Sequence, residues 1–343
     1  MNILYGIAGE GLGHSSRAKA VIHHLKRKGH KVKVITYGQA HEALSKDHDT
    51  EKIHGIHLLY KNHKMDLIKT IAYNLAHFPR NIFNINRFRR IIKEFKPDVC
   101  ITDMEPITAL ISYYYGIPLI CMDNQHAMTN SKLYLPEKYK HSLLIGKHAI
   151  HQTVRKADAF IIFSFSKLKP IRRNTYFVSP LLRKEILQLK PYYGDKILVY
   201  LSKKTKEILD VLKKSNEKFI VYGFHTKKKE DNIEYKELGP HFVKDLESCK
   251  AVIATSGFSL LSEAMYLKKP FLSLPLHRQP EQLFNALALK EVGYGGFTEH
   301  FTKKDLDSFL KRLNHYKDNL KKHKSDPSEA FRVLDKLLKK LSA

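Results

Sequence analysis

Cysteine is scarce in this 343-residue chain. Cys100, Cys121 and Cys249 are far apart in the sequence and stand among apolar residues. Three cysteines at such spacings form neither a disulfide framework nor a recognisable metal-binding pattern. We therefore expect no metal site and a protein that works in a reducing compartment, the cytoplasm.

Long apolar runs are also missing. No stretch of the sequence reaches the roughly 18 apolar residues that a membrane span needs. The N-terminal "MNILYGIAGEGLGH" is interrupted by glycines and a charge, so it does not have the pattern of a secretory signal. We expect a cytoplasmic protein that binds a membrane at most peripherally, at its inner face.

Acidic residues are few: 34 Asp and Glu face 60 Lys and Arg, which leaves a net charge of +26. Such a charge attracts nucleic acid, anionic lipid or phosphate-bearing substrates, although a generally basic proteome would also produce it. Nucleic acid is the less favoured partner, because the sequence contains no nucleic-acid-binding motif.

The basic excess is strong in residues 61–96, where Tyr73, Phe78, Phe83 and Phe88 alternate with Lys and Arg. A pair of helices with this composition is suited to an anionic membrane surface. The alternative is that the aromatic rings pack into the core while the charges face water.

Short apolar runs alternate with helical patterns along the chain. "DVCITD", "PLICMD" and "AFIIFSF" predict strands buried on both faces of a parallel sheet, and "EPITALISYYYG" predicts a helix capped by Gly116. The pattern restarts at "KILVYLS". We predict an α/β fold of two Rossmann-like, doubly wound domains that face a cleft. The predicted N-terminal domain covers 1–178, the C-terminal domain covers 179–325, and a helix in 326–343 returns to the first domain.

A glycine-rich stretch, "GEGLGHSSR", follows the first predicted strand. Gly11 and Gly13 allow a sharp turn and the close approach of a substrate, and the free amides of a helix expected to start near Ser15 favour an anion. The stretch lacks the last glycine of a dinucleotide fingerprint. His14 at this position can act as a general base, although in a chain with 20 histidines a surface role is the plainer alternative.

Asp103 ends the "DVCITD" strand and should lie at the same sheet edge as His14. It could orient the imidazole there, or it could cap the helix that follows, and the two roles are compatible. Asp123 and the "NQH" after it follow the next predicted strand and should reach the same edge.

The second half contains a similar strand-to-helix junction in "ATSGFSLLSEAMYLKKP". Ser256, Gly257 and Ser259 form a phosphate-sized nest at a predicted helix start. Glu263 lies one turn further on, where its carboxylate could accept hydrogen bonds from two ribose hydroxyls or could be a plain exposed helix charge. Polar residues then open the next predicted helix: Glu281, Gln282 and Asn285.

These motifs resemble those of GT-B glycosyltransferases, in particular the MurG-like lipid-linked sugar transferases and their uncharacterised archaeal and bacterial relatives. "GLGHSSRA" matches the Gly-His loop of that group, and "KPDVCITD" with "YGIPLICMD" matches two of its strands. "SGFSLLSEAMYLKKP" and "EQLFNALAL" match its donor-site segments. The resemblance covers nearly the whole chain, in order.

The resemblance implies that the C-terminal half binds a nucleotide-diphosphate sugar, usually a UDP-sugar, and that no metal or other cofactor is needed. The implied contacts are Glu263 with the ribose, Ser256, Gly257 and Ser259 with the diphosphate, Glu281 and Gln282 with the sugar hydroxyls, and Phe242 and Val243 with the nucleobase.

The resemblance also implies that the N-terminal half binds the acceptor. His14 matches the residue near the reacting centre, Asp103 matches the acid that orients it, and Glu10 is the second candidate base. The leaving diphosphate needs cations, for which Arg17 and Arg278 are candidates. The family often has proline where this chain has Arg17, so Arg17 either neutralises the diphosphate or only replaces the proline.

The expected reaction is an inverting sugar transfer from a UDP-sugar to an acceptor hydroxyl, of the kind found on lipid-linked or cell-surface glycan precursors. A literal D-x-D at Asp305 and Asp307 opens a predicted helix, so favourable helix N-terminal charges explain it better than a metal. Two alternatives are a sugar-nucleotide epimerase of the same fold and a basic anion- or nucleic-acid-binding protein.

Overall fold

The structure is a computed structural model that describes residues 1–10, 12–55, 60–61, 64–65, 76, 85–132, 136–201, 206–224 and 226–341. The chain divides into two compact units, Met1–Leu181 with Asp326–Ala343 and Leu182–Ser325. No helix in the described part of the chain is long and apolar enough to cross a bilayer.

The first unit is built on a seven-stranded sheet, accompanied by a short antiparallel pair. Its strands are β1 (Asn2–Ile7), β2 (Lys31–Thr36), β3 (Thr50–Lys52), the pair β4 (Tyr60–Lys61) and β5 (Lys64–Met65), β6 (Val99–Asp103), β7 (Leu119–Asp123), β8 (Ala159–Phe163) and β9 (Thr175–Val178). The sheet order is β3-β2-β1-β6-β7-β8-β9, and every adjacent pair is parallel.

Helices connect these strands. They are α1 (Leu12–Arg27), α2 (Gly38–Leu44), α3 (Ile85–Phe95), α4 (Pro106–Tyr115), α5 (Ala127–Asn130) and α6 (Lys140–Thr153), the last preceded by a 3-10 turn at Glu137–Tyr139. Gly116 has φ 65° and ends α4 in the left-handed conformation, which confirms the predicted cap.

The second unit has its own seven-stranded sheet, in the order β12-β13-β11-β10-β14-β15-β16. Its strands are β10 (Lys196–Tyr200), β11 (Lys218–Tyr222), β12 (Lys228–Glu230), β13 (Ile233–Tyr235), β14 (Ala251–Ala254), β15 (Phe271–Ser273) and β16 (Gly295–Phe297). Only the edge pair β12 and β13 is antiparallel among these described strands.

The helices of the second unit are α7 (Lys184–Leu187), α8 (Lys206–Lys213), α9 (His241–Ser248), α10 (Phe258–Tyr266), α11 (Pro280–Glu291), α12 (Lys303–Lys311) and α13 (Leu313–Lys321). The last helix, α14 (Glu329–Leu341), belongs to the first unit. There the ring of Phe331 stacks on His24 of α1 at 4.4 Å, and the His24 imidazole Nε2 lies 2.7 Å from a carboxylate oxygen of Asp335.

Both sheets reverse their direction of winding at one strand. From β1 the chain moves to β2 and β3 on one side and then crosses to β6 on the other, and β10 occupies the same place in the second unit. Ligands of such sheets bind at the carboxyl ends of the strands on either side of this switch point. Ligand sites are therefore expected at the ends of β1 and β6 in the first unit, and at the ends of β10 and β14 in the second.

The basic stretch of residues 61–96 lies largely outside the described residues, including Tyr73, Phe78 and Phe83. In the described helix α3, Phe88 is buried while Arg89 and Arg90 are exposed. Here the aromatic ring packs inward and the charges face water.

Candidate functional site

The switch point of the first unit brings His14 and Asp103 into contact. Asp103 ends β6, where it pairs in register with Ile7 at the end of β1. Nδ1 of His14 lies 2.9 Å from Oδ1 of Asp103, whose side chain is fully buried while that of His14 is 15% exposed. The predicted proximity of the two side chains is present, whereas their roles stay predictions.

His14 reaches Asp103 from inside a helix. We expected a helix start near Ser15, but α1 begins at Leu12, so Gly13 and His14 belong to its first turn. Residues three apart on a helix share a face, and this places Arg17 beside His14. The predicted start is wrong because glycines are poor helix formers, which argued against a helix at Gly13. The contacts of His14 and Arg17 with Asp103 hold this first helical turn in place.

Arg17 is buried and its guanidinium holds the same carboxylate. Nε donates to Oδ2 of Asp103 at 3.0 Å, and Nη2 donates to Oδ1 at 2.7 Å and to Oδ2 at 2.8 Å. Burial raises the pKa of Asp103, but the charges and hydrogen bonds of Arg17 and His14 outweigh it and keep that pKa below its ordinary value. The carboxylate is therefore ionised at neutral pH.

Asp103 is not the cap of the following helix, although its position allowed that role. Glu105 caps α4: its side chain accepts from the backbone N–H of Ile107 at 2.8 Å and of Thr108 at 2.7 Å. The Asp103 carboxylate instead contacts His14 and Arg17. Of the other predicted residues in this region, Gly11 lies outside the described residues and Glu10 is half-buried.

A second polar cluster lies at the end of β7 and just after it. Asp123 and His126 were expected at this sheet edge, whereas Cys121 and the contacts among the three side chains were not foreseen. Cys121, Asp123 and His126 have donor atoms within 4.8 Å of one another, the only such metal-ligand group found among the described residues. Nδ1 of His126 lies 2.7 Å from Oδ2 of Asp123, and the Cys121 thiol donates to the same oxygen at 3.0 Å. These hydrogen bonds account for the cluster as a buried structural network.

The Asp123–His126 pair predicts a pH-dependent stability. Burial raises the pKa of Asp123, but the nearby His126 has the larger effect and brings the pKa of Asp123 to about 2. Burial lowers the pKa of His126, but the nearby Asp123 has the larger effect and raises the pKa of His126. The stabilisation by Asp123 is present above about pH 4 and is lost as the pH falls toward 2. The stabilisation by His126 is present below about pH 6.5 and is lost as the pH rises through the raised pKa of His126 in the native state.

We therefore expect His126→Gln to lower the free energy of unfolding by about 3 kcal/mol at pH 6, and by less at pH 9. Urea denaturation followed by circular dichroism at both pH values measures this. The exposed His151, replaced in the same way, serves as the control. An equal loss at pH 6 and pH 9 would show that the pair is not charged in the native state.

The residues of the predicted nest lie at the switch point of the second unit. β14 ends at Ala254, and α10 begins at Phe258 with Gly257 as its N-cap. The hydroxyl of the buried Ser256 bonds to that of Ser273, and its carbonyl accepts from the Asn285 amide at 3.0 Å. A Cβ added to Gly257 would meet no described atom within 4 Å, so the helix start is open beside it.

Glu263 is 6% exposed, so the alternative of a plain exposed helix charge is wrong. Its two carboxylate oxygens accept from Nε and Nη2 of Arg183, both at 2.8 Å. Burial raises the pKa of Glu263, and the hydrogen bonds and charge of Arg183 reduce this rise without cancelling it, so the pKa stays above its ordinary value. Sequence reasoning missed Arg183, and its one signal was an arginine in "VSPLLRKEI" at the joint between the predicted domains.

The remaining predicted residues are spread over the same unit. Oε1 of Gln282 accepts from the backbone N–H of Leu276 at 3.0 Å, and Phe242 is buried edge-on against Tyr222 with ring centroids 4.9 Å apart. The others are more accessible: Ser259 and Arg278 are exposed, whereas Glu281 and Val243 are half-buried.

The D-x-D of the sequence has a structural explanation. Asp305 forms a capping box with Thr302 at the start of α12, and Asp307 pairs with Lys303 one turn away. Both acids thus stabilise a helix start, as expected.

Comparison with known proteins identifies a family. The model of the family described as "Glycosyl transferase family 1" matches residues 1–314. An uncharacterised glycosyltransferase of Methanosarcina acetivorans is 26% identical, and the match covers 88% of this chain and 86% of the relative. An uncharacterised glycosyltransferase of Methanosarcina mazei matches with the same identity and the same coverage.

Solved structures share the fold. The calicheamicin glycosyltransferase CalG4 superposes with a TM-score of 0.69 at 15% identity, covering 100% of this chain and 98% of that one. MurG of Acinetobacter baumannii gives 0.64 at 17% identity, covering 99% and 100%. UGT2 of Phytolacca americana, complexed with UDP-2fluoro-glucose and pterostilbene, gives 0.69 at 12%, covering 98% of each chain. These neighbours confirm the predicted fold class.

Proposed function

The chain belongs to glycosyl transferase family 1 and is a glycosyltransferase, and we propose that it moves a sugar from a UDP-sugar to an acceptor hydroxyl with inversion at the anomeric carbon. The observation that carries this proposal is the contact of 2.9 Å between His14 and the buried carboxylate of Asp103 at a switch point. Such a pair is suited to removing a proton from a hydroxyl.

In the proposed reaction His14 is the base. Its Nδ1–H donates to Asp103, which leaves the lone pair of Nε2 for the acceptor proton. As that proton moves to Nε2, the acceptor oxygen forms a bond to the anomeric carbon, and the bond from this carbon to the diphosphate oxygen breaks. Attack from the side opposite the leaving group inverts the configuration. Glu10 is the second candidate for the base.

The second unit would supply the donor site. Glu263 is buried and paired with Arg183, and its carboxylate would accept the ribose hydroxyls. The open backbone at Gly257 and the start of α10 would hold the diphosphate. The other proposed contacts are Ser256 and Ser259 with the diphosphate, Glu281 and Gln282 with the sugar, and Phe242 and Val243 with the nucleobase.

The test is product analysis. The protein is incubated with UDP-glucose, UDP-galactose or UDP-N-acetylglucosamine and a panel of hydroxyl acceptors that includes sugar-terminated lipids. We expect release of UDP that depends on one donor and one acceptor class, and the anomeric proton coupling of the product should show inversion. Release of UDP with retention would overturn the proposed direct displacement.

We also propose that the acceptor is met at an anionic membrane surface. Arg89 and Arg90 are exposed on α3, and large apolar side chains are exposed elsewhere on the same unit, among them Leu110, Tyr114 and Leu144. Exposed cations and exposed apolar groups on one unit favour the interface of an anionic bilayer.

This proposal predicts that Arg89→Gln/Arg90→Gln weakens binding to phosphatidylglycerol vesicles by about thirtyfold, since each cation near such a surface is worth about 1 kcal/mol. Co-sedimentation measures the binding. The control Lys322→Gln/Lys324→Gln removes the same charge from exposed positions of the second unit. Equal losses in the two double variants would show that net charge, rather than this surface, governs the binding.

A further inference from the structure

The Arg17 side chain joins the carboxyl ends of three neighbouring strands. Its guanidinium bonds to Asp103 at the end of β6, and Nη1 donates to Oδ1 of Asn124, just after β7, at 3.3 Å. The guanidinium carbon also lies 5.0 Å from the ring centroid of Phe163, which ends β8. Hydrogen bonds on one edge and an aromatic face beside the planar group fix the position of this cation.

The cation is also close to the imidazole. Nη2 of Arg17 lies 3.2 Å from Nδ1 of His14, while Oδ1 of Asp103 lies 2.9 Å from the same nitrogen. A carboxylate only accepts and a guanidinium only donates, so a proton on Nδ1 satisfies Asp103. His14 therefore has a negative and a positive group at nearly equal distances.

We infer that Arg17 is a positioning residue, whose fixed cation cancels the charge of Asp103 and so keeps His14 an uncharged imidazole with its Nε2 lone pair free. This inference rests on the proposed role of His14 as the base. A carboxylate alone would favour the imidazolium, which has no lone pair to accept a proton. With Arg17 present, Asp103 can orient the ring without stabilising its charged form.

The other titratable groups around His14 do not replace this effect. On β1, burial first and then Asp103 raise the pKa of Tyr5, so this phenol is neutral. On β7, burial raises the pKa of Cys121, and Asp123 is paired with His126. After β6, Glu105 is engaged with the start of α4. Glu10, two residues before α1, is half-buried.

The test compares Arg17→Met and Arg17→Gln, which lack the cation, with Arg17→Lys, which restores it. Arg27→Met, at an exposed position of the same helix, is the control for lost charge. The first readout is the pH titration of the His14 ring by ¹H–¹⁵N NMR, assigned by its absence in His14→Gln, which requires no acceptor. The second is the acidic limb of the pH profile of kcat/KM.

In Arg17→Met and Arg17→Gln we expect proton uptake by the His14–Asp103 pair to move up by about one pH unit, and Arg17→Lys to reverse most of this shift. The acidic limb of kcat/KM should move equally, with less than a tenfold loss on the plateau. If the Met variant does not fold, the Gln variant, whose amide can still donate to Asp103, gives the same readout.

A ring titration that is unchanged in the cation-free variants would overturn the inference and would leave Arg17 a structural residue. A ring titration that shifts while the acidic limb stays in place would support the control of His14 by Arg17 and count against His14 as the base. The failure of the inference is thus distinguishable from the failure of the proposed function.

Discussion

His14→Gln is expected to lower kcat/KM for sugar transfer by about 10²- to 10⁴-fold, the range in which general bases act. The glutamine amide can still donate to Asp103, so the buried carboxylate keeps a partner, but it cannot accept the proton of the acceptor. The loss should fall on kcat, because the imidazole takes part only as the acceptor oxygen attacks. Steady-state kinetics with the identified donor and acceptor measures it.

The matched control is His23→Gln, an exposed position on the same helix, which should keep the activity of the unchanged protein. Thermal unfolding of His14→Gln should remain within a few degrees of the parent, which separates lost chemistry from lost structure. Activity of His14→Gln within a few-fold of the parent would reject His14 as the base and make Glu10 the residue to examine.

Asp103→Ala is expected to cause the largest loss of stability, about 3 to 5 kcal/mol, because it leaves the buried cation of Arg17 without its carboxylate. Three hydrogen bonds from Arg17, between 2.7 and 3.0 Å, end on this side chain. Urea denaturation followed by circular dichroism suits a chain without tryptophan, and the loss should appear in the transition of the first unit.

The double variant Asp103→Ala/Arg17→Met distinguishes a broken pair from a general packing defect. Removing both partners eliminates the unpaired charge, so the double variant should be more stable than Asp103→Ala alone. If the losses of Asp103→Ala and Arg17→Met simply add, the two side chains are not coupled and the buried pair does not stabilise the first unit.

The central strands could be predicted from the sequence, because burial on both faces gives them continuous apolar runs such as "AFIIF" in β8. Three of the four edge strands could not. β3 reads "TEK", β12 reads "KKE" and β16 reads "GGF", and none of these has an apolar pattern. Their pairing is decided by the neighbouring strand rather than by their own residues.

For the candidate site, the shared sheet edge of His14 and Asp103 followed from the order of strands alone. The partners of the charged side chains could not be predicted in this way. Arg17 reads like any helical arginine and Arg183 like any linker arginine, yet each makes a bidentate contact with a buried acid distant in sequence. Long-range pairing of this kind depends on which strand ends meet, which no local pattern of residues records.

The most direct test of the account is a calorimetric titration of the protein with UDP and with 2′-deoxy-UDP. If Glu263 holds the ribose, Glu263→Gln should bind UDP about 10- to 100-fold more weakly than the parent. The parent should bind 2′-deoxy-UDP more weakly than UDP, whereas Glu263→Gln should bind the two ligands with nearly the same affinity. Glu291→Gln, an exposed acid of the same unit, should bind UDP as the parent does. Equal affinity of the parent and Glu263→Gln for UDP would contradict the account.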